Sequence, residues 1–374
     1  MRESTYDADV FLLQFGFVTL PPNRFLATLL DRFDLVKWFL GHKTHENYDA
    51  SQTVFMVEEL LNLLIVIACE RANVSGMSIT DKIRREIIHN LCLGSSAYSD
   101  LTKRIPERIT EHPEFDRILA TVANFKSPDG VNDHGSYELK EEHFAHVDTY
   151  FWHFSRNNRE EAESILKARW KKAHPDEKEQ DFFVLPRNVP IAPGPFQHLG
   201  SFLQSTVFVQ MLAFALWNVY TGDNHKSDTI LDQIMYLVLL ALSDQNSEDV
   251  SNYGQGRFYD YVCSLQFEMQ VPSTTTATES GNPSTRQMSL FDIMAELYPQ
   301  EQYSEVTSRF NWIFEQLGTK GVHNTRAKVE AWRAQYAAKM QQDAQKQQEN
   351  GGVGEMSEME KKKLAAQERQ KKIM

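Results

Sequence analysis

The sequence predicts a mainly α-helical fold: a multi-helix scaffold containing a winged-helix module and ending in a charged helical tail. Three observations predict it. Apolar residues recur at the roughly 3.6-residue period of an amphipathic helix along most of the 374 residues. Within 78–143 the order is three helical patterns followed by turn residues and one short alternating run. The last stretch, 326–374, is dominated by Ala, Gln, Glu, Lys and Met, with eleven basic and seven acidic residues.

The first segment, 1–77, reads as two or three helices. Phe25, Leu26, Leu29, Leu30 and Phe33 form one stripe, and Pro21-Pro22 marks a stop from which Pro22 or Asn23 opens the next helix. Residues 54–71 are apolar on more than one side, which places that helix between neighbours. In 78–143, Ser78 or Thr80 caps a helix bearing Ile83, Ile87, Ile88 and Leu91, and Gly94 stops it. A short helix with Leu101 and Ile105 ends at Pro106, and a third is expected over 113–125 with Phe115, Ile118, Leu119 and Val122 inward. Ser136-Tyr137-Glu138-Leu139-Lys140 then alternates as a strand does.

An aromatic start, Tyr150-Phe151-Trp152-His153-Phe154, opens 144–183 and feeds a helix with early Glu160, Glu161 and Glu163 and late Lys167, Arg169, Lys171 and Lys172, the polarity a helix dipole favours. Pro186, Pro190, Pro193 and Pro195 mark 184–196 as a stiff linker and the clearest domain boundary. A helical domain is expected over 197–325, with helices near 198–219, 226–243, 257–268, 290–297 and 305–317 and a disordered Ser/Thr-rich loop at 272–289. The tail, 326–374, reads as one or two exposed helices with little core of their own.

The formal net charge of -12 disfavours nucleic acid and anionic membranes as partners. On the third helix and wing, Arg117, Asn124 and Lys126 face Glu114, Asp116 and Glu138, a footprint too near neutral to grip phosphates. No apolar run reads as a membrane span, and no basic, apolar leader opens the chain. Cys69, Cys92 and Cys263 lie far apart and fit a reducing compartment, so the expected location is the cytoplasm or nucleus.

Phosphate loops, dinucleotide fingerprints, metalloprotease helices and nucleophile elbows are all missing, so no catalytic, cofactor-binding or metal-ligating residue is assigned. His143 and His146, with Glu142, Asp148 and His153 nearby, and the pair His42 and His45 are short of the four ligands zinc demands; a solvated or hydrogen-bonded face is the favoured reading. Cys69 and Cys92 sit on apolar faces as inert thiols. Tyr150–Phe154 reads as a core plug in preference to a ligand platform.

Several segments in order resemble the UBR-type N-recognins, large ubiquitin ligases of the N-degron (N-end rule) pathway. They are Pro22-Asn23-Arg24-Phe25-Leu26, Glu59-Leu60-Leu61-Asn62-Leu63, Asp81-Lys82-Ile83-Arg84-Arg85-Glu86-Ile87-Ile88-His89 and Ala97-Tyr98-Ser99-Asp100-Leu101. Val122-Ala123-Asn124-Phe125-Lys126, Gly135-Ser136-Tyr137-Glu138-Leu139-Lys140 and Tyr150-Phe151-Trp152-His153-Phe154-Ser155-Arg156 continue the series. The resemblance implies the helical centre of such a ligase, lying between the zinc-binding UBR box that reads destabilising N-terminal residues and a RING that recruits a ubiquitin-conjugating enzyme. It further implies that the tail helps to hold that conjugating enzyme, while N-degron substrates meet other modules. The cysteine/histidine clusters of the UBR box and RING are missing from these 374 residues, so the chain reads as an internal piece or truncated product, with zinc a property of the family and no cofactor of its own.

Overall fold

A computed structural model describes residues 2–42, 44–128, 135–187, 189–222, 227–243, 257–271 and 285–351. Three helices come first: α1 (Arg2–Thr19), α2 (Pro22–Arg32) and α3 (Ala50–Cys69). Pro22 sits at the first helical position of α2, where its missing N–H costs nothing. Asp49 caps α3, its carboxylate accepting from Gln52 N at 2.8 Å while the Gln52 side chain accepts from Asp49 N at 3.0 Å. By length and composition α3 is apolar enough to cross a membrane, yet more than half of that window is buried inside the protein.

The winged-helix module follows: α4 (Ile79–Leu91), β1 (Ser96–Ala97), α5 (Tyr98–Arg104), α6 (Glu107–Thr110), α7 (Phe115–Val122), β2 (Ala123–Lys126) and β3 (Ser136–Leu139). Ser78 is the cap of α4, its Oγ accepting from Asp81 N at 3.1 Å. The expected third helix over 113–125 is shorter than its pattern suggested. It stops at Val122, and Ala123–Lys126 pairs antiparallel with Leu139–Ser136. The partner strand decides this: pairing with it satisfies the backbone of Ala123–Lys126, and Lys140 Nζ donates to the last carbonyls of α7, Ala120 O at 3.2 Å and Thr121 O at 2.6 Å. Strand order in the sheet is β1-β3-β2.

Helix α8 (Arg156–Ala173) is capped by Ser155 and sends Ala162 into the winged-helix core of Ile83, Ile87, Leu101, Ile118 and Val122. Beyond it come α9 (Thr206–Thr221), α10 (Asp228–Ser243), α11 (Phe258–Ser264), β4 (Phe267–Gln270), β5 (Thr285–Met288), α12 (Leu290–Leu297), α13 (Thr307–Lys320) and α14 (His323–Gly351).

The structure differs from expectation at three further places. The helix expected over 257–268 ends at Ser264, because β4 pairs with β5. Within the expected loop at 272–289, Thr285–Met288 is that strand and Ser289 caps α12; fully buried Met269 and Met288 anchor the hairpin. Residues 272–284 lie outside the described residues, as does the tail beyond Gly351. Finally, the prolines at 184–196 do not separate two cores. Leu26, Leu30 and Leu61 share one core with Leu212, Leu237 and Ile293, because α3 packs on α10 and α2 on α9. The Pro-rich stretch lies over this core, with Ile191 packed against it and Val189 O accepting from Arg71 Nη1 at 3.2 Å.

Candidate functional site

Two large cores, the helical one and the winged-helix one, meet at a third, small cluster of Val10, Val66, Phe151 and Trp152. The aromatic run Tyr150–Trp152 is buried there as a core plug, and the polar groups around it form a buried joint. Each side chain reaches it for a local reason. Glu70 is the C-cap of α3, delivered where that apolar helix ends. Arg85, Glu86 and His89 lie on α4 among its core isoleucines, on the face turned toward the other core.

Arg85 Nη1 bonds Glu70 Oε2 at 2.7 Å, with 15% and 2% of the two side chains exposed. Burial and the opposing guanidinium pull the Glu70 carboxyl in opposite directions, and burial wins, raising its pKa. The Arg85 guanidinium also lies 4.9 Å from the centroid of the Phe151 ring. His89 stacks on the same Phe151 ring, with ring centroids 4.1 Å apart. Its Nδ1 donates to Arg85 O at 2.7 Å, and its Nε2 accepts from Asp148 N at 3.0 Å. Burial first, then the charge of Arg85, pushes the His89 imidazole down to about 3, so it is neutral and both ring nitrogens are satisfied.

His153 has the opposite role. Its Nδ1 lies 3.0 Å from Glu86 of α4, and its Nε2 lies 3.8 Å from Asp7 of α1. Burial would lower its pKa, but the neighbouring Asp7 and Glu86 carboxylates outweigh burial and raise it to about 9. Asp7 in turn accepts from Arg108 Nη2 of α6 at 2.6 Å. One imidazolium therefore ties α1 to α4. A second polar node lies on the far side of Tyr150, whose hydroxyl donates to Asp232 at 2.9 Å. Arg309 of α13 pairs with Asp232 of α10 and reaches Glu163 of α8 at 3.5 Å.

The histidines considered as ligands are dispersed. His143 and His146 rings are 6.1 Å apart, while His153 and Asp148 belong to the joint. No group of three His, Cys, Asp or Glu side chains stands together as a metal site among the described residues. His45 organises its loop, Nδ1 accepting from Asn47 N and Tyr48 N at 3.0 Å each and Nε2 donating to Asp34 O at 2.6 Å. Cys69, Cys92 and Cys263 are buried; burial raises all three thiols, Cys92 and Cys263 to about 12, so thiolate chemistry at neutral pH is suppressed. On the winged-helix surface Arg117 pairs with Glu114, and Lys126 with Glu138 at 2.6 Å.

The tail helix has a built root. Thr325 donates to Tyr259 O at 2.8 Å, and Lys328 Nζ bonds Asp292 at 2.8 Å and Ser289 Oγ at 3.0 Å, gripping the capping box of α12. Val329 is fully buried, and Trp332 packs 4.7 Å from Phe314 and 5.6 Å from Tyr336. Residues 337–346 are all exposed, so α14 stands off the core after that ring stack.

Reading the sequence missed the joint residues Asp7, Glu70, Arg85, Glu86, His89, Asp232 and Arg309. The available signal was charge on otherwise apolar faces: Arg85, Glu86 and His89 interleave with Ile83, Ile87 and Ile88.

Comparison with known proteins matches residues 82–181 to the UBR1-like winged-helix domain of E3 ubiquitin-protein ligases, and residues 1–63 to the UBR1/2/3-like ARM repeat domain. The E3 ubiquitin-protein ligase ubr1 of Schizosaccharomyces pombe is 36% identical over 259 residues, 67% of this chain and 13% of the relative. Human UBR2 is 32% identical over 256 residues, 65% of this chain and 14% of its own, and human UBR1 is 36% identical over 171 residues, 44% and 10%. The matched region thus spans about one-eighth of the length of the first two relatives. On these matches the chain is a UBR-type sequence, carrying the winged-helix domain and an ARM-repeat segment of the UBR1/2/3 family of E3 ubiquitin ligases.

Proposed function

We propose that this chain is the spacing scaffold of a UBR-type ubiquitin ligase that marks proteins with destabilising N-terminal residues for degradation in the cytoplasm or nucleus. The winged helix and the ARM-like helices would hold degron-binding and catalytic modules at a fixed separation, and α14 would offer a surface to a ubiquitin-conjugating enzyme. One observation carries the reading: a helix firmly rooted in the core, by Lys328, Val329 and Trp332, runs on with all of 337–346 exposed. The stretch 337–346 buries nothing of its own, and an unpacked helical stretch that short is marginal in water, so a partner is the natural source of its remaining stability. The winged-helix surface supports a protein-binding role over DNA, since Arg117 and Lys126 are neutralised by Glu114 and Glu138.

Pull-down from a panel of ubiquitin-conjugating enzymes tests it. The full chain should retain at least one of them, and the same chain ended after Tyr336 should lose most of that retention. Equal retention by both would defeat the tail reading.

A further inference from the structure

Helix α1 is apolar on two opposite sides. Val10 and Phe17 face inward and are buried, and Gln14 between them donates to Ile67 O at 3.1 Å. The opposite side carries Thr5, Ala8, Leu12, Phe15 and Thr19, spaced alternately three and four residues apart, as in a seam along which one helix packs on another. All five are exposed, Leu12 by 63% and Phe15 by 50%. Phe11, with its ring centroid 5.3 Å from that of Phe196, and exposed Leu20 widen the strip. Asp9 is the one charged side chain exposed between Thr5 and Leu20. A helix of this pattern belongs between two layers, and the described residues supply one of them.

The chemistry of the strip narrows what fits its other side. With Asp9 at the edge and no charge along the seam, a charged partner finds no handle there. The seam is also graded in size. Laid antiparallel about a two-fold axis near Leu12, two copies set Phe15 against the partner's Ala8, the largest seam residue against the smallest, and Thr5 against the partner's Thr19. Residues 1–63 match an ARM repeat domain, and repeats of that kind bury their faces by stacking like on like. Area sets the strength. Phe11, Leu12, Phe15 and Leu20 leave roughly 400 Å² uncovered in each copy. With Ala8 and the threonines included, a pair would cover on the order of 1,000 Å² in total, the low end of specific interfaces and that of a reversible dimer.

We propose that this chain forms a reversible two-fold dimer through the outward face of α1, with Leu12 at its centre and Phe15 seated on the partner's Ala8. The inference is independent of the ligase reading, because it is read from the mass of the chain alone.

Sedimentation velocity of the full chain between about 1 and 100 µM tests it. The average mass should rise from one chain to two across that range and stop there. Leu12→Glu and Phe15→Glu each place an unpaired carboxylate in the apolar contact, and each should move the midpoint to about tenfold higher concentration or more. Ser99→Glu, the same charge added at an exposed position on α5, should leave the midpoint unchanged. Leu12 and Phe15 are exposed in the single chain, so the variants keep its core, and circular-dichroism melts confirm that each is folded. A chain that stays single at about 100 µM, a mass that climbs beyond two copies, or a midpoint unmoved by both Leu12→Glu and Phe15→Glu would each overturn the proposal.

Discussion

Arg85 and Glu70 form the kind of buried pair whose loss on one side is costly, because the survivor stays desolvated and unpaired. Arg85→Leu should therefore destabilise the chain by about 3–5 kcal/mol in urea titration, whereas Arg85→Leu combined with Glu70→Gln should recover most of that loss. A double variant as unstable as the single would show that Arg85 acts through its packing on Phe151 instead. His153 gives a pH test. Its folded pKa, about 9, lies above the unfolded value of about 6.5, so its stabilisation is complete below about pH 6.5 and fades as pH rises through 9. The shift corresponds to on the order of 3 kcal/mol. In His153→Gln the extra loss of stability between neutral and alkaline pH should vanish. His89 has the reverse sign: held neutral with a folded value of about 3, it costs nothing above pH 6.5 and opposes folding as pH falls toward 3.

Among elements, α14 is the most instructive. Its exposed length cannot nucleate cheaply by itself, so the anchored turns at Thr325–Tyr336 template the rest. Trp332→Ala should lower hydrogen-exchange protection across 337–346 while leaving α9 and α10 protected. Unchanged protection of 337–346 would show that the exposed helix is stable without its root. At α7 and β2 the lesson runs the other way. The apolar period through Val122 carries on past the real end of the helix, and the strand partner at Ser136–Leu139 ends it earlier. A local pattern reports which residues are apolar and at what spacing; a ladder partner ten or more residues away is not in that window. The same holds for Thr285–Met288, whose polar composition reads as loop until Phe267–Gln270 is placed beside it.

For the whole molecule, two cores are coupled through a plug of four buried side chains, centred on Phe151. Phe151→Ala removes the ring on which Arg85 and His89 both lie, and should cost about 3–5 kcal/mol. It should also separate unfolding into two transitions, one for the winged helix and one for the helical core, where the parent chain shows a single coincident transition by fluorescence and circular dichroism. A single transition in the variant would show that α8, which contacts both cores through Ala162 and Glu163, suffices to couple them.

Periodicity, caps and composition in the sequence determined most of the helices, the order of helices and final strand in the winged-helix module, the burial of Cys69 and Cys92, and the reading of the Tyr150–Phe154 run as core, of which Tyr150–Trp152 is fully buried. These are local properties, set by side-chain spacing and by residues within a turn or two. Tertiary structure alone decided that the segments on either side of the prolines share one core and that Asp7, Glu70, Arg85, Glu86 and His153 converge. Those outcomes depend on which faces meet across separations of 15 residues for Glu70 and Arg85 and 67 for Glu86 and His153, and burial then converts ordinary surface charges into a joint whose pairings are enforced by desolvation.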